Sequence, residues 1–289
     1  MTAAIYSARA GKSVMLFEAE NFGGQIAYSP KIENFPSVKQ ISGSEFSDNL
    51  FEQMSFLGVD VKFERVLKIE DCGTLKKVVG EDGEYESRAV IIASGMKRRK
   101  LGLAREDELL GKGVSYCAVC DGVFYKNKTV AVVGGGNTAF SDAMHLSQYC
   151  EKVLLIHRRD EFRGEAHILE ALKKRGNVEF VLSHTVEELI GDDELYAVAL
   201  KNLKTGQRTE RELQGLFVSV GFIPQNAIFE NVIGLDEGGF ADSGETCTTK
   251  TAGIFVAGDC RTKKVRQLTT AASDGAVAAI AACEYVDSI

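Results

Sequence analysis

Residues 129–156 constrain the fold more than any other stretch. Thr129-Val-Ala-Val-Val133 reads as a buried strand, Gly134-Gly135-Gly136-Asn137-Thr138-Ala139 has Gly-x-Gly-x-x-Ala spacing, residues 137–149 suit a helix, and Val153-Leu-Leu-Ile156 is the next strand. A glycine loop alone would be weak evidence. With a strand before it, a helix after it and a second strand at the right distance, it specifies a dinucleotide-binding βαβ unit.

The tip of the second strand selects the nucleotide. An acid there would bind a ribose 2′-hydroxyl. This chain has His157-Arg158-Arg159, with Arg163 a turn further on. Guanidinium groups pair bidentately with phosphate, so NADPH is favoured over NADH. Asp160 is the one contrary residue and is expected to serve as counter-charge to the two arginines.

A second, partial nucleotide motif opens the chain. Residues 2–11 read as a short helix stopped by Gly11, and Ser13-Val-Met-Leu-Phe17 as a strand ending at Glu18. This is the second half of a βαβ unit, with a ribose-binding acid at the strand tip. Its first half, a strand with Gly-x-Gly-x-x-Gly, is expected upstream of Met1. A sheet lacking that central strand would have unpaired ladders.

Further on, Phe22-Gly23-Gly24-Gln25 reads as a turn and residues 44–57 as an amphipathic helix ended by Gly58. Residues 59–95 read as small antiparallel strands, Val59–Phe63, Val66–Ile69, Lys76–Val79 and Tyr85 with a hairpin turn at Asp82-Gly83, closing on Ala89–Gly95 as a buried strand reaching a crevice. Met96–Lys112 reads as a solvated crossover. Strands are expected at Val178–Ser183, Leu195–Lys201, Gln207–Glu212 and Leu216–Gly221. Ile254-Phe-Val-Ala-Gly258-Asp259 is a strand ending in an acid that can bond a ribityl hydroxyl, and Gln267–Tyr285 is a helix that can face a flavin.

Between the two nucleotide motifs lies Cys117-Ala-Val-Cys120-Asp121. Two intervening residues let both sulfurs reach each other at a helix start, where the positive helix end favours thiolate. Half a zinc site is the competing reading, but no second Cys-x-x-Cys or paired His-x-x-His accompanies it. The other five of the seven cysteines are scattered, so no disulfide framework is expected. Without an export signal, that pattern suggests the cytoplasm.

Composition narrows the class. At 289 residues, 45% hydrophobic and 26% charged, the chain has the profile of a globular protein of one or two domains. A net charge of −7 argues against nucleic acid as partner. No apolar run is long enough to span a membrane.

Taken together, Gly23-Gly24-Gln25, Cys117–Gly122, Gly134–Ala139, His157–Arg163, Ala257-Gly258-Asp259 and Val265-Arg266-Gln267 resemble the bacterial low-molecular-weight thioredoxin reductases, in an N-terminally truncated form. The likeness runs over the whole chain. It implies an α/β fold of two Rossmann-like, three-layer ββα domains, the NADPH domain (residues 99–224) inserted into a discontinuous FAD domain (1–98 and 225–289) lacking its first strand and Gly loop. It implies FAD contacts from Glu18, Gly23, Gly24, Gln25, Asn34, Gly258, Asp259, Arg266, Gln267 and Leu268. It implies NADPH contacts from Gly134, Gly136, Asn137, Thr138, His157, Arg158, Arg159 and Arg163. No metal is implied. Electrons would pass from NADPH through FAD and a Cys117–Cys120 disulfide to thioredoxin, with Cys117 attacking the substrate, Cys120 exchanging with the flavin and Asp121 moving protons. The resemblance also implies a homodimer whose domains swing during turnover. Two other readings stay open: the reductase component of a peroxide-reducing system, and an NADPH-binding module without flavin activity.

Overall fold

The computed structural model describes residues 1–29 and 32–289. The chain divides into two compact units: Met1–Lys97 with Ile223–Ile289, and Arg98–Phe222.

The central unit is three-layered. Its parallel sheet has the order Val178–Leu182, Lys152–His157, Thr129–Val133, Gly215–Val218, Val114–Ser115. Strand side chains alternate between faces, and the two faces bury different cores. Val130, Val132, Val153 and Leu155 pack with Ala139, Phe140, Ala143 and Leu146 of the helix Asn137–Leu146 and with Leu172 of the helix Ala166–Lys173. Ala131, Val133, Leu154 and Ile156 pack instead with Val186, Leu189, Val198 and Leu200 of an antiparallel sheet, His184–Gly191, Leu195–Asn202 and Arg208–Glu212. Both faces being covered, the strands read as continuous apolar runs.

In the other unit the parallel strands come as two pairs, Met15–Glu18 with Asp60–Phe63 and Val90–Ile92 with Ile254–Val256. Among the described residues no strand joins Met15–Glu18 to Ile254–Val256. Ile254 and Val256 turn toward Ile69 and Val78 of an antiparallel sheet (Val66–Cys72, Leu75–Gly80, Glu84–Ser87), whereas Phe255 faces Ala278 and Ala282 of the helix Leu268–Asp287. That helix packs closely on the helix Thr2–Arg9, where Gly275 lies against Thr2 and Ala3. The third helix is Gly43–Phe56, capped by Ser42 Oγ accepting from Glu45 N at 3.2 Å.

Four expectations need correction. Asp60–Phe63 pairs in parallel with Met15–Glu18, because the helix Gly43–Phe56 brings the chain back in the same direction. The segment Met96–Lys112 is more than a solvated crossover. Glu106 in it is buried and accepts from Leu101 N (2.9 Å), Gly102 N (2.7 Å), Leu103 N (3.3 Å) and the Tyr116 hydroxyl, and Leu109 enters the core. Sequence reading missed the helix Ala166–Lys173, although Ile168, Leu169 and Leu172 recur at helical spacing and pack into the core, and the strand His184–Gly191, whose alternation is broken by a register shift between Val186 and Glu188. Phe56, expected on the apolar face of the helix Gly43–Phe56 with Phe46, Leu50, Phe51, Met54 and Leu57, stands 89% exposed at the helix end.

Candidate active site

The chain leaves the strand Val114–Ser115 and turns into the short helix Ala118–Asp121, with Cys117 as the residue before its first turn. Cys117 and Cys120 form a disulfide with Cα atoms 5.4 Å apart. The Cys120 amide donates to Cys117 Sγ at 3.2 Å, which places that sulfur at the positive helix end. Ser115 organises this turn. Its Oγ donates to Asp121 Oδ2 at 2.6 Å and accepts from Cys117 N at 2.9 Å. Cys120 is exposed; Cys117 and Asp121 are half-buried.

The remaining cysteines are free thiols in a different chemical state. Burial pushes Cys150 up to about 11 and raises Cys247 and Cys260 as well. A thiol held protonated is a poor nucleophile. The 117–120 pair is therefore set apart from those three by its bond and by its exposure at Cys120.

Downstream, the glycine loop follows the strand Thr129–Val133. A side chain at Gly134 would run into the Ser219 carbonyl, and one at Gly135 into the His157 ring, whereas Gly136 faces open space. His157 is buried under the loop, stacked on Phe162 with ring centroids 5.3 Å apart. Burial lowers its pKa, a hydrogen bond with the Glu161 carbonyl opposes that, and the nearby arginines lower it further. His157 thus forms the floor of the loop as a neutral ring. Arg163 reaches the loop through its backbone, N to Gly135 O at 2.8 Å. Asn137 and Glu165 bond reciprocally, Nδ2 to Oε1 at 2.8 Å and Glu165 N to Oδ1 at 2.7 Å, tying the start of the first helix to that of the second. Thr138 follows in the first turn. Arg158, Arg159 and Arg163 are exposed, and no salt bridge engages them among the described residues. The expectation for Asp160 fails: its carboxylate pairs with Lys204 Nζ at 2.8 Å, leaving the arginines for an outside anion.

The other unit carries the remaining candidates. Glu18 ends its strand and accepts from Glu20 N at 2.8 Å through Oε1. Gly23, with φ of 88°, turns the chain into the 3-10 helix Gly24–Tyr28, where Gln25 is exposed. Asn34 Nδ2 donates to Gln267 Oε1 at 3.1 Å. Gln267 precedes Leu268, the first residue of the C-terminal helix, and its N–H donates to Thr270 Oγ1 at 3.1 Å. Arg266 stacks over Phe240 at 4.1 Å and donates from Nε to Asp259 O at 3.2 Å.

Gly258 and Asp259 sit in a turn held by residues that sequence reading missed. Asp274 accepts from Arg261 Nε (2.8 Å) and Nη2 (2.7 Å), from Lys263 Nζ (2.8 Å) and from Gly258 N (3.0 Å). Burial alone would raise this carboxyl, but the Arg261 and Lys263 hydrogen bonds outweigh it and hold its pKa below the ordinary value. The available signal was an acid inside an Ala- and Gly-rich helix, preceded by four cations, Arg261, Lys263, Lys264 and Arg266, in one short loop.

These residues fit the two nucleotides. Asp259 Oδ1 is buried with no hydrogen-bond partner, and burial raises the pKa of its carboxyl. A buried orphan acceptor suits a ligand hydroxyl, as a flavin's ribityl chain would supply. The helix start at Gly136, with no side-chain cap and three exposed arginines nearby, suits a phosphorylated dinucleotide.

Residues 1–275 match the family described as pyridine nucleotide-disulphide oxidoreductase. A thioredoxin reductase of Peptoclostridium acidaminophilum is 37% identical over 295 residues, covering 100% of this chain and 94% of its own. The crystal structure of Lactococcus lactis thioredoxin reductase superposes with a TM-score of 0.94 at 38% identity, covering 100% of this chain and 95% of that one. That of the T. acidophilum thioredoxin reductase gives 0.90 at 31% identity, covering 99% and 94%.

Proposed function

The chain belongs to the pyridine nucleotide-disulphide oxidoreductase family, and on that premise we propose that it is a thioredoxin-disulfide reductase using NADPH and FAD. The observation that carries this reading is the Cys117–Cys120 disulfide, set directly ahead of a complete nucleotide-binding fold. Relatives named thioredoxin reductase over the full chain support it against a peroxide-reducing system. The orphan acceptor on Asp259 supports it against a module without flavin.

Residues 99–224 form the NADPH domain, and 1–98 with 225–289 the FAD domain. Asp259 would hold the ribityl chain, and Glu18 a ribose. Gly23, Gly24, Gln25, Asn34, Gly258, Arg266, Gln267 and Leu268 would surround the rest of the flavin. Gly134, Gly136, Asn137 and Thr138 would cradle the NADPH pyrophosphate over the His157 floor, and Arg158, Arg159 and Arg163 would clamp its 2′-phosphate. When bound, FAD supplies the two-electron link between NADPH and the disulfide.

The chain's own residues carry the exchange. Once reduced, Cys117 attacks a disulfide sulfur of thioredoxin as thiolate, forming a mixed disulfide. Cys120 then attacks Cys117, releasing reduced thioredoxin and restoring the intramolecular bond. Asp121, one residue on, takes and returns the protons. The working unit is a homodimer in the cytoplasm, a setting that suits three buried thiols kept unpaired. Among the described residues no helix is long and apolar enough to cross a membrane.

An absorption spectrum of the purified chain, with FAD offered during refolding if needed, tests the reading. A stoichiometric flavin band supports it. A colourless protein that cannot be reconstituted overturns it.

A further inference from the structure

Ser115 is 1% exposed and lies on a strand locked in parallel register to Leu216 and Phe217. Its oxygen sits 2.6 Å from Asp121 Oδ2, 2.9 Å from Cys117 N and 3.3 Å from Cys117 O. A hydroxyl has one proton to give and two lone pairs to accept with. Two complete arrangements therefore exist on one set of heavy-atom positions. With Asp121 ionised, Ser115 accepts from Cys117 N and donates to Oδ2. With Asp121 protonated, Oδ2 donates to Ser115, whose own proton turns to Cys117 O. Neither arrangement leaves a buried polar group unpaired, which would cost about 1–3 kcal/mol.

We propose that Ser115 is a positioning residue for the proton chemistry of the Cys117–Cys120 pair, acting through Asp121. The proposal rests on the thioredoxin-reductase reading above. In the reduced protein the Cys117 proton moves to Asp121, and the Cys117 thiolate attacks a substrate disulfide. One substrate sulfur bonds to Cys117. The other leaves as thiolate and takes the proton from Asp121. Ser115 then turns its proton from Cys117 O to Oδ2, matching the charge that appears there. Cys120 next passes its proton to Asp121, attacks Cys117 and expels the second thiolate, which is protonated in turn. The protein dithiol is oxidised to the disulfide, and one substrate disulfide is reduced to two thiols.

The leaving group provides the test. An alkyl thiolate needs a proton as it departs, whereas an aromatic thiolate of low pKa leaves without one. Protein with Cys72 and Cys283 replaced by Ser would be reduced with excess dithiothreitol, desalted, and mixed in a stopped-flow instrument with bis(2-hydroxyethyl) disulfide or with dithiobis(nitrobenzoate). Ser115→Ala should slow the alkyl probe about 10-fold or more relative to the aromatic one, as expected when a general acid is misplaced. Ser115→Gly, which also removes the hydroxyl, should give the same ratio if the alanine variant folds poorly. The double variant Ser115→Ala, Asp121→Asn should be no slower than Asp121→Asn alone, because Ser115 acts through that carboxyl. Equal slowing of both probes, an unchanged ratio, or multiplying losses in the double variant would overturn the proposal. The assay needs neither flavin nor NADPH. A parent protein that exchanges with neither probe would sink the functional reading itself, and a parent that exchanges normally beside unaffected variants would sink only the role of Ser115.

Discussion

Asn34 Nδ2 donates to Gln267 Oε1 at 3.1 Å, joining side chains 233 positions apart in the sequence. The bond ties the irregular segment after the Gly23-Gly24 turn to the start of the C-terminal helix, so two expected flavin contacts are fixed relative to each other. Removing it with Asn34→Ala should cost about 0.5–1.5 kcal/mol, or roughly 2- to 10-fold in FAD affinity. Fluorescence titration of the apoprotein measures this. Unchanged affinity would mean the bond does not shape the site.

Asp274 holds the Gly258–Asp259 turn from behind. Because Arg261 and Lys263 hold the folded-state pKa of this carboxyl below its ordinary value, its contribution to stability is present above the unfolded pKa of about 3.9. That contribution is lost as pH falls through the lower folded value. Asp274→Asn leaves two buried cations short of their counter-charge and should destabilise the protein by about 3–5 kcal/mol at neutral pH. The gap from the parent should narrow as pH falls below about 3.9 and close only beneath the lower folded value. Chemical denaturation across pH checks the sign; a gap that widens in acid would contradict it.

Arg158 and Arg159 are exposed at the tip of the strand Lys152–His157, and Asp160 is occupied by Lys204. Each charge-assisted hydrogen bond to a phosphate contributes about 1.5–3 kcal/mol. Replacing both arginines with Ala should raise KM for NADPH by at least about 10-fold, with little change for NADH, which has no 2′-phosphate. Steady-state kinetics with both nucleotides decides it, and an equal rise for both would remove the 2′-phosphate assignment.

Much of this architecture was legible in the sequence, for physical reasons. Strands buried on both faces, such as Thr129–Val133, are continuous apolar runs bounded by glycine, and few alternatives compete with them. The Cys117–Cys120 spacing likewise allowed few chemistries. What escaped was non-local. Nothing near Asp60–Phe63 says whether its partner runs parallel, since that depends on where the preceding helix returns the chain. Glu106 looked like surface charge within a charged run, although its backbone donors lie three to five residues before it, and Asp274 went unread because its Arg261 and Lys263 donors come from the preceding loop. Ser115 was overlooked beside the cysteines. Its part emerges only when the strand and the redox helix place one hydroxyl between Cys117 and Asp121.

The role of the Cys117–Cys120 pair is tested most directly by NADPH-driven reduction of oxidised thioredoxin by the flavin-loaded protein, followed by thiol appearance, in the parent and in Cys117→Ser and Cys120→Ser variants. The parent should turn over, and both variants should lose thioredoxin reduction while keeping their flavin. Oxidation of NADPH by a flavin-loaded parent that leaves thioredoxin oxidised, or turnover that survives loss of either cysteine, would contradict that role.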